Sequence, residues 1–399
     1  MPGLFDPATL GAITLKNRFV RSATAECMAD DRGLPTRRMV ALYTRLAEGG
    51  AGLLITGGAY VHPTGRSYVG VTGVHRDSCV RALGHVAEEV HARGSRIVLQ
   101  LYHCGRQGIP GAAGGTLLAP SAAPLRLFRM HPRAVSRAEI ETLVACFGES
   151  AARARAAGFD GVQILAANGY LIHQFLSPRC NRRQDEWGGT LANRMRFLEE
   201  VYRSVRRAVG PDFPVLVKLA VSDFVRGGLQ PEESLAVARR MASMGVDAIE
   251  VTGGTLESLF NMSRGDIPVE QILRSRLAST IGLAGLLGRH LLRAVATTMG
   301  GRVRFQEAYF AAYARRVRQE VGVPIILVGG IRSPATMERL LQEGKADLVA
   351  MARPFLREPH LVRRIEAGDR RPSLCRSCNR CLVSVADGDG VRCFGGPTS

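Results

Sequence analysis

The sequence predicts an α/β fold, a (β/α)8 TIM barrel that carries a C-terminal four-cysteine metal-binding segment. Three observations favour this fold. Eight short apolar runs alternate with longer helical patterns, no glycine-rich dinucleotide turn follows the first run, and four of the nine cysteines crowd between residues 375 and 393. A length of 399 residues and a mass of 43.1 kDa suit one large barrel with additions.

The apolar runs are interpreted as barrel strands. Short runs rich in β-branched residues and bounded by Gly or Pro are typical of parallel strands covered on both faces. An open doubly wound sheet would usually show G-x-G-x-x-G after its first strand, so its absence favours a closed barrel. In chain order the runs are 18–22, 52–56, 96–101, 161–165, 215–220, 248–253, 324–330 and 347–352.

The stretches between the runs have helical patterns. In one of them Pro231 is followed by Glu232 and Glu233, an arrangement that suits the first turn of a helix and its dipole. The predicted helices cover 76–93, 136–157, 190–209, 231–244, 306–321 and 333–343.

Two segments exceed what a plain barrel needs. We expect a barrel over 1–365, with a long insertion at 254–305 after the sixth strand, and a cysteine-rich segment over 366–399. Loops that follow barrel strands carry the active site, so the insertion is expected over its mouth. The portion 274–299 fits an amphipathic helix that acts as a lid, a partner surface or a membrane-surface contact. A pair of packed helices with no role in chemistry is the alternative.

Composition narrows the classes of protein. A hydrophobic content of 46% and a charged content of 22% exclude a disordered or collagen-like chain. The formal charge of +18 comes from arginines spread along the whole chain without a recognisable nucleic-acid module, so no nucleic-acid partner is expected. The longest apolar stretch, 321–331, is shorter than the ~20 residues of a membrane span. The N-terminus has no secretory pattern, so a cytoplasmic location is expected.

The C-terminal cysteines have a regular spacing, C-x2-C-x2-C-x11-C. In a reducing compartment four such thiolates are expected to hold a metal rather than to form disulfides. Three cysteines at intervals of three with a distant fourth suit a [4Fe-4S] cluster, whereas structural zinc more often uses two separated C-x2-C pairs. Zinc stays open as the alternative. The ligands would be Cys375, Cys378, Cys381 and Cys393.

A phosphate site is expected where the seventh and eighth strands end. The seventh run finishes in Gly329 and Gly330, whose backbone N–H groups can approach an anion closely, and Arg353 follows the eighth run. A (β/α)8 barrel frequently binds phosphate at this place.

Several segments resemble one family, the flavin-dependent Old Yellow Enzyme superfamily of NADH:flavin oxidoreductases. The resemblance runs from residue 4 to residue 361, and N-R-R-x-D-E-W-G-G at 181–189 is its most specific part. With the cysteines, the chain is similar to the branch that contains 2,4-dienoyl-CoA reductase and trimethylamine dehydrogenase. The matching segments are 15–24, 100–106, 157–197, 217–229 and 326–359.

The resemblance implies an FMN site in the barrel. Gln100 would hydrogen-bond the pyrimidine edge of the flavin, and Lys218 would place its charge near N1 and O2. At the position of Ala25 many relatives have a Thr or Cys that tunes the flavin potential, which Ala cannot do. The implied cofactor-binding residues are Ser22, Ala23, Thr24, Gln100, Lys218, Gly329, Gly330 and Arg353.

The resemblance also implies catalytic positions after the fourth strand. Family members place two hydrogen-bond donors there, three residues apart, and this chain has Leu165 and Asn168. Leu165 cannot donate, so simple cyclic enones are expected to be poor substrates. Tyr170 matches the proton donor of the family, with a buried structural tyrosine as the alternative. His173 is expected only to pack and bond within its helix.

These inferences predict an FMN-dependent, ene-reductase-like oxidoreductase. It would transfer a hydride to an activated C=C bond with electrons from NAD(P)H or from an external electron donor. Two alternatives stay open: a flavin-dependent dehydrogenase that oxidises an amine or a saturated carbonyl compound, and a non-catalytic electron-transfer subunit. The expected partner is a small-molecule substrate, with an acidic or CoA-linked compound and a homo-oligomer as open possibilities.

Overall fold

The computed structural model describes residues 2–109, 111–275, 278, 286–300, 304–386, 388 and 390–395. The strands are β1 (Ala8–Leu10), β2 (Ile13–Leu15), β3 (Phe19–Arg21), β4 (Leu53–Ile55), β5 (Ala59–Tyr60), β6 (Arg96–Tyr102), β7 (Leu118–Ala119), β8 (Arg133–Ala134), β9 (Gly161–Ala166), β10 (Val215–Ala220), β11 (Ala248–Thr252), β12 (Ile325–Val328) and β13 (Leu348–Met351).

Eight of these strands close into a parallel barrel. Each predicted run overlaps one of them, in the order β3, β4, β6, β9, β10, β11, β12 and β13, and β13 pairs back to β3. Every pairing in the ring is parallel, and Lys218 on β10 lies opposite Glu250 on β11. The predicted (β/α)8 barrel is therefore confirmed.

Helices surround the barrel. Among the described residues they are α1 (Arg37–Glu48), α2 (Val80–His91), α3 (Arg137–Ala156), α4 (Leu171–Leu176), α5 (Leu191–Val209), α6 (Pro231–Ser243), α7 (Leu259–Met262), α8 (Val269–Arg274), α9 (Leu286–Gly300), α10 (Ala311–Glu320), α11 (Pro334–Gln342), α12 (Arg353–Arg357), α13 (Leu361–Glu366) and α14 (Arg380–Ala386). No helix in these ranges is long and apolar enough to cross a bilayer.

Local sequence explains where several of these helices begin. At α3 the Ser136 hydroxyl accepts from the backbone N–H of Glu139, whose carboxylate accepts from the backbone N–H of Ser136. The predicted start at residue 306 is wrong, because α10 begins only at Ala311. Ala308 has a φ of 52°, a left-handed conformation that cannot continue a right-handed helix.

The core has two apolar layers. Helices pack on the outside of the barrel around residues such as Phe147, Phe175 and Phe197. A smaller cluster fills the barrel interior, and the antiparallel hairpin β1–β2 contributes Leu10 and Leu15 to it. The hairpin and these interior side chains form an apolar layer inside the barrel. Polar residues inside the barrel line a cavity at the carboxyl ends of the strands.

The insertion and the C-terminal segment lie side by side. Arg293 on α9 pairs with Glu270 on α8, and Arg380 on α14 donates to the side chain of Gln271 on α8. Of the predicted amphipathic helix, 276–277 and 279–285 lie outside the described residues, and the rest includes most of α9. The domain boundary at 365/366 stays a prediction.

Candidate active site

A cavity of about 260 Å³ lies at the carboxyl ends of the barrel strands. This is the end at which (β/α)8 barrels carry their active sites. All of the candidate catalytic and cofactor-binding residues line it, namely Ser22, Ala23, Thr24, Gln100, Asn168, Tyr170, Lys218, Gly329, Gly330 and Arg353. The structure thus brings the predicted residues together, and their individual roles stay predictions.

A buried polar network forms one side of this cavity. Lys218 Nζ donates to Ser22 Oγ at 2.8 Å and to Glu250 Oε1 at 3.0 Å, and Ser22 Oγ donates to the same carboxylate. The amide of Gln163 donates to Glu250 Oε2 and accepts from Gln100 Nε2 at 2.7 Å. Four strands and Ser22, which directly follows β3, therefore share one hydrogen-bonded layer, in which a buried cation is balanced by a buried carboxylate.

Sequence reasoning missed Glu250 and Gln163, although a signal for them exists. Glu250 is a charged residue inside an apolar run, as Lys218 is in the neighbouring run, and both are at most 5% exposed. Two opposite charges inside adjacent barrel strands predict a paired site, since an isolated buried charge is costly.

Another part of the cavity wall is suited to an anion. Arg353 Nη1 donates to the backbone oxygen of Arg264 and to Asn379 Oδ1, whereas Nε and Nη2 donate no hydrogen bond to any described residue. Gly329 and Gly330 have φ values of 139° and 73°. A Cβ at Gly330 would lie 2.6 Å from the backbone oxygen of Gln306, so only glycine fits there without displacement.

Arg332 is a further cation on the cavity wall that the sequence did not single out. Its Nη1 donates to the backbone oxygen of Cys375, and its guanidinium lies 4.0 Å from the ring centroid of Phe305. The buried Nε of Arg332 finds no acceptor among the described residues, nor does that of Arg264. The part of the cavity suited to an anion is thus lined by more positive charge than Arg353 alone supplies.

The part of the cavity wall around Tyr170 is apolar apart from a few hydroxyl and amide groups. Tyr170 and Tyr102 meet edge to face with their ring centroids 5.1 Å apart, and Tyr102 also bonds Ser67 Oγ. The hydroxyl of Tyr170 has no hydrogen-bond partner among the described residues. Burial, with smaller contributions from Tyr68 and Cys104, raises the pKa of Tyr170 well above its usual value. The phenol is therefore protonated at neutral pH and free to donate.

The side chain of Gln107 links the loop that carries Asn168 and Tyr170 to the insertion. Gln107 Nε2 donates to the backbone oxygen of Asn168, and Gln107 Oε1 accepts from the backbone N–H of Leu256 in the insertion. Asn168 has a φ of 59°, so its conformation depends on such local support.

His173 does more than pack within its helix. Its Nδ1 accepts from the backbone N–H of Gly169, and its Nε2 lies 2.7 Å from Asp223 Oδ1. Both side chains are buried, and Ser177 donates to the second oxygen of Asp223. The expectation that His173 bonds only inside its helix is wrong, because its partners lie on the two loops that frame the site.

The residues after the first strand are closely held. Arg21 pairs with Glu26 at 3.0 Å, and Glu26 also accepts from the hydroxyl of Tyr43. Ala25 and Cys27 line the cavity, and burial raises the pKa of Cys27 to about 12. Cys27 is therefore a neutral thiol, consistent with a small apolar wall residue.

The four C-terminal cysteines are free thiols, and Cys375 lines the cavity. The thiols of Cys375, Cys378 and Cys393 are near enough to Cys381 to raise its pKa, which burial as the main cause brings to about 12. In the part of the chain that the structure describes, no three His, Cys, Asp or Glu side chains are arranged to hold a metal ion. Their role as metal ligands stays a prediction.

Together the fold and the site define a cofactor-binding (β/α)8 barrel with the features of an oxidoreductase. The chain belongs to the NADH:flavin oxidoreductase / NADH oxidase family, whose sequence model matches residues 3–267 and 290–371. The resemblance to the Old Yellow Enzyme superfamily is thereby confirmed, and with it the class of flavin-linked oxidoreductases.

Individual relatives cover nearly the whole chain. It is 31% identical over 389 residues to the NADH oxidase of Thermoanaerobacter brockii, which spans 97% of this chain and 54% of that protein. It is 33% identical over 408 residues to the 4,4'-dithiodibutanoate disulfide reductase of Rhodococcus erythropolis, covering 98% and 94% of the two chains. The chain thus spans about half the length of the NADH oxidase.

A solved structure agrees with the fold. The complex of 2-naphthoyl-CoA reductase with 2-naphthoyl-CoA superposes with a TM-score of 0.83 at 26% identity, over 99% of this chain and 57% of that one. The similarity therefore includes the cysteine-rich segment as well as the barrel.

Proposed function

We propose that this chain is an FMN-dependent oxidoreductase that takes electrons from NAD(P)H and reduces an activated C=C bond. The observation that carries the proposal is the placement on the walls of one cavity of a buried cation, Lys218, and of the Tyr170 phenol, which no described residue hydrogen-bonds. Hydride transfer to a conjugated alkene develops negative charge that needs a proton on carbon, and Tyr170 is the group suited to supply it.

The residues present fit FMN. Lys218 and Gln100 line the cavity and are hydrogen-bonded to the Glu250 and Gln163 network. Arg353, Gly329 and Gly330 line the same cavity and would hold a phosphate. Bound there, FMN supplies reversible two-electron hydride chemistry.

Residues of the chain itself have separate roles in the proposed reaction. Lys218 would place its positive charge beside the bound flavin, and Asn168 would donate to the activating carbonyl of the substrate. Tyr170 Oη gives its proton to the α-carbon as a hydride reaches the β-carbon, so that one hydride and one proton saturate the bond. The apolar wall of Leu165, Tyr102 and Cys27 excludes water around the reacting atoms.

Leu165 supports a second candidate function. With one donor instead of two, carbonyl activation is weak, and oxidation of an amine needs no such donor. A flavin-dependent dehydrogenase is therefore the alternative. We include unsaturated CoA thioesters among the candidate substrates because 2-naphthoyl-CoA reductase is similar over 99% of this chain.

Turnover separates the two candidates. Anaerobically purified protein is assayed for bound flavin, and the flavin is identified by chromatography. Stopped-flow absorbance then follows reduction by NADH, by NADPH and by amines, and reoxidation by 2-cyclohexenone, an aryl enone and an unsaturated acyl-CoA. We expect FMN, reduction by a pyridine nucleotide and reoxidation by at least one alkene. Absence of flavin, or reduction by amines alone, would contradict the proposal.

We further propose that Cys375, Cys378, Cys381 and Cys393 bind a [4Fe-4S] cluster, with zinc as the alternative metal. Cys375 lines the same cavity as Arg353, so a cluster on this segment would adjoin the flavin site and suit an external electron donor. We also propose a cytoplasmic location, because free cysteines that serve as metal ligands need a reducing compartment.

Metal analysis tests this assignment. A cluster predicts iron, acid-labile sulfide and broad visible absorption that Cys378→Ser removes while FMN is retained. Zinc predicts stoichiometric zinc, no absorption beyond flavin, and a Cys378→Ser variant of lower thermal stability. Purified protein with neither metal and with freely reactive thiols would refute both.

A further inference from the structure

The side chain of Asn379 joins three parts of the chain. It lies between Cys378 and Cys381 and is 4% exposed. Its Oδ1 accepts from Arg353 Nη1 at 2.5 Å and from Ser263 Oγ at 3.1 Å. Its Nδ2 donates to the backbone oxygens of Ser263 at 2.9 Å and Asp266 at 3.0 Å. A carboxamide has two donor hydrogens and two acceptor lone pairs, so every hydrogen bond available to it is formed.

Arg353 is held by this contact at one end only. Both acceptors of its Nη1, the backbone oxygen of Arg264 and Asn379 Oδ1, come from outside the barrel. The first belongs to the insertion and the second to the cysteine-rich segment. Nε and Nη2 donate no hydrogen bond to any described residue, and the residue lines the cavity. A guanidinium that is hydrogen-bonded at one nitrogen keeps its other donors oriented. The side chain then loses less conformational entropy when an anion binds.

We infer that Asn379 is a positioning residue that orients Arg353 towards the phosphate of the cofactor. This inference rests on the proposed function, since it assumes that a flavin phosphate binds at Arg353. Asn379 follows Cys378 directly, so the inference makes the cysteine-rich segment part of the cofactor site. Affinity for the phosphate then depends on a residue that never touches it.

A purely structural role makes a different prediction. If Asn379 only joins the cysteine-rich segment to the insertion, its replacement should affect flavin affinity as much as the loss of any other hydrogen bond between the two segments. Arg380 provides that comparison, because its Nε donates to Gln271 Oε1 on α8 at 3.0 Å and it makes no hydrogen bond to Arg353. Arg380→Ala therefore loosens the same junction without releasing Arg353.

The test variant is Asn379→Gly. Asn379 has a φ of 57°, which glycine adopts without strain, so this change removes the carboxamide and spares the backbone. Asn379→Asp is a second variant that keeps the shape of the side chain. Its carboxylate would pair with Arg353 and compete with a phosphate. Both changes should weaken phosphate binding, and the second keeps the inference testable if the first does not fold.

Flavin affinity is measured with the full chain after its flavin has been removed. Titrations with FMN and with riboflavin, which lacks the phosphate, are followed by quenching of flavin fluorescence, and metal content is checked in every variant. We expect Asn379→Gly and Asn379→Asp to weaken FMN binding about tenfold or more and to leave riboflavin binding unchanged, as loss of a charge-assisted contact would. Arg380→Ala should leave both affinities unchanged.

Other results would overturn the inference. Equal weakening of FMN and riboflavin, or equal effects of Asn379→Gly and Arg380→Ala, means that Asn379 only holds the segment. In an Arg353→Ala background, Asn379→Gly should have no further effect on FMN, and an additive loss would also contradict positioning. If Arg353→Ala alone leaves FMN affinity intact, the phosphate site of the proposed function is wrong, which is a separate failure.

Discussion

Lys218 Nζ lies 3.0 Å from Glu250 Oε1, and the two residues are register partners on adjacent barrel strands. Glu250 is fully buried and Lys218 is 5% exposed, so water screens this pair poorly. Ser22 and Gln163 occupy further hydrogen-bonding positions on the carboxylate. The positive charge that the cavity offers to a cofactor is thus balanced within the barrel itself.

The two charges should depend on each other for stability. Lys218→Met leaves the Glu250 carboxylate buried without its cation, and Glu250→Gln leaves the ammonium without its anion. Each single change is expected to lower the free energy of unfolding by about 3–5 kcal/mol, because it breaks a buried pair. The double variant removes both charges and should lose clearly less than the sum of the two single losses.

Urea unfolding of the flavin-free chain, followed by circular dichroism, measures all three variants. Leu216→Ala, on the same strand and fully buried, shows how much a cavity alone costs at this depth. Additive losses for Lys218→Met and Glu250→Gln would show that the two groups do not stabilise each other.

Tyr170→Phe should separate the two halves of the catalytic cycle. Reduction by NAD(P)H needs no proton from Tyr170, whereas saturation of the alkene needs one on carbon. We expect the reductive rate constant to change less than twofold and the oxidative one to fall about 10²–10⁴-fold. Stopped-flow absorbance of the flavin resolves both halves.

Tyr102→Phe is the matched control, since Tyr102 lines the same cavity, packs against Tyr170 and has its hydroxyl bonded to Ser67. Its loss should slow the oxidative half far less than Tyr170→Phe does. Equal slowing of both half-reactions in Tyr170→Phe would make that tyrosine structural.

The pH dependence of the oxidative half should follow Tyr170. Burial disfavours the phenolate and raises the pKa of this tyrosine above its ordinary value of 10.0. The protonated, donating form therefore persists as pH rises through the neutral and mildly alkaline range. We expect a flat rate constant between about pH 7 and pH 10, with any decline only at higher pH. A decline centred below pH 9 that Tyr170→Phe abolishes would contradict this assignment.

Much of the barrel could be predicted because its strands are continuous apolar runs. The phosphate end of the site was predicted from the ends of the seventh and eighth strands, and the other site residues were implied by the family resemblance. Local sequence could not show how the insertion and the cysteine-rich segment pack against the barrel. Asn379 in the cysteine-rich segment accepts from Arg353, which lines the cavity. Arg332 on the cavity wall donates to the backbone of Cys375, which is distant from it in sequence. The predicted start of α10 at residue 306 was wrong because Ala308 has a left-handed φ of 52°.

The contacts of His173 could not be predicted either. Its partners depend on how the loop after β9 folds back onto the loop after β10, which brings Gly169 and Asp223 to its two ring nitrogens. A lone histidine in an apolar helix carries no sequence signal for such an arrangement. Glu250 is different, because a charge inside a buried strand is visible in the sequence and demands a partner.

Leu165→Asn should improve the reduction of simple cyclic enones. The side chain of Leu165 lines the cavity on the strand that leads to Asn168, and it is 4% exposed, so an amide placed there would face the reacting atoms without opening the site to bulk water. A second donor to the carbonyl oxygen stabilises the negative charge that develops on it. Removal of one such donor in other enzymes costs about 2.7–4 kcal/mol, so a well-placed donor could raise kcat/KM for 2-cyclohexenone by up to about 10²–10³-fold.

Leu165→Met keeps the apolar volume, supplies no donor and should leave kcat/KM nearly unchanged. Steady-state assays under anaerobic conditions compare the three proteins. If Leu165→Asn folds, retains its flavin and gains nothing over Leu165→Met, the substrate carbonyl does not lie beside residue 165, and the oxidation of amines becomes the better account of this site.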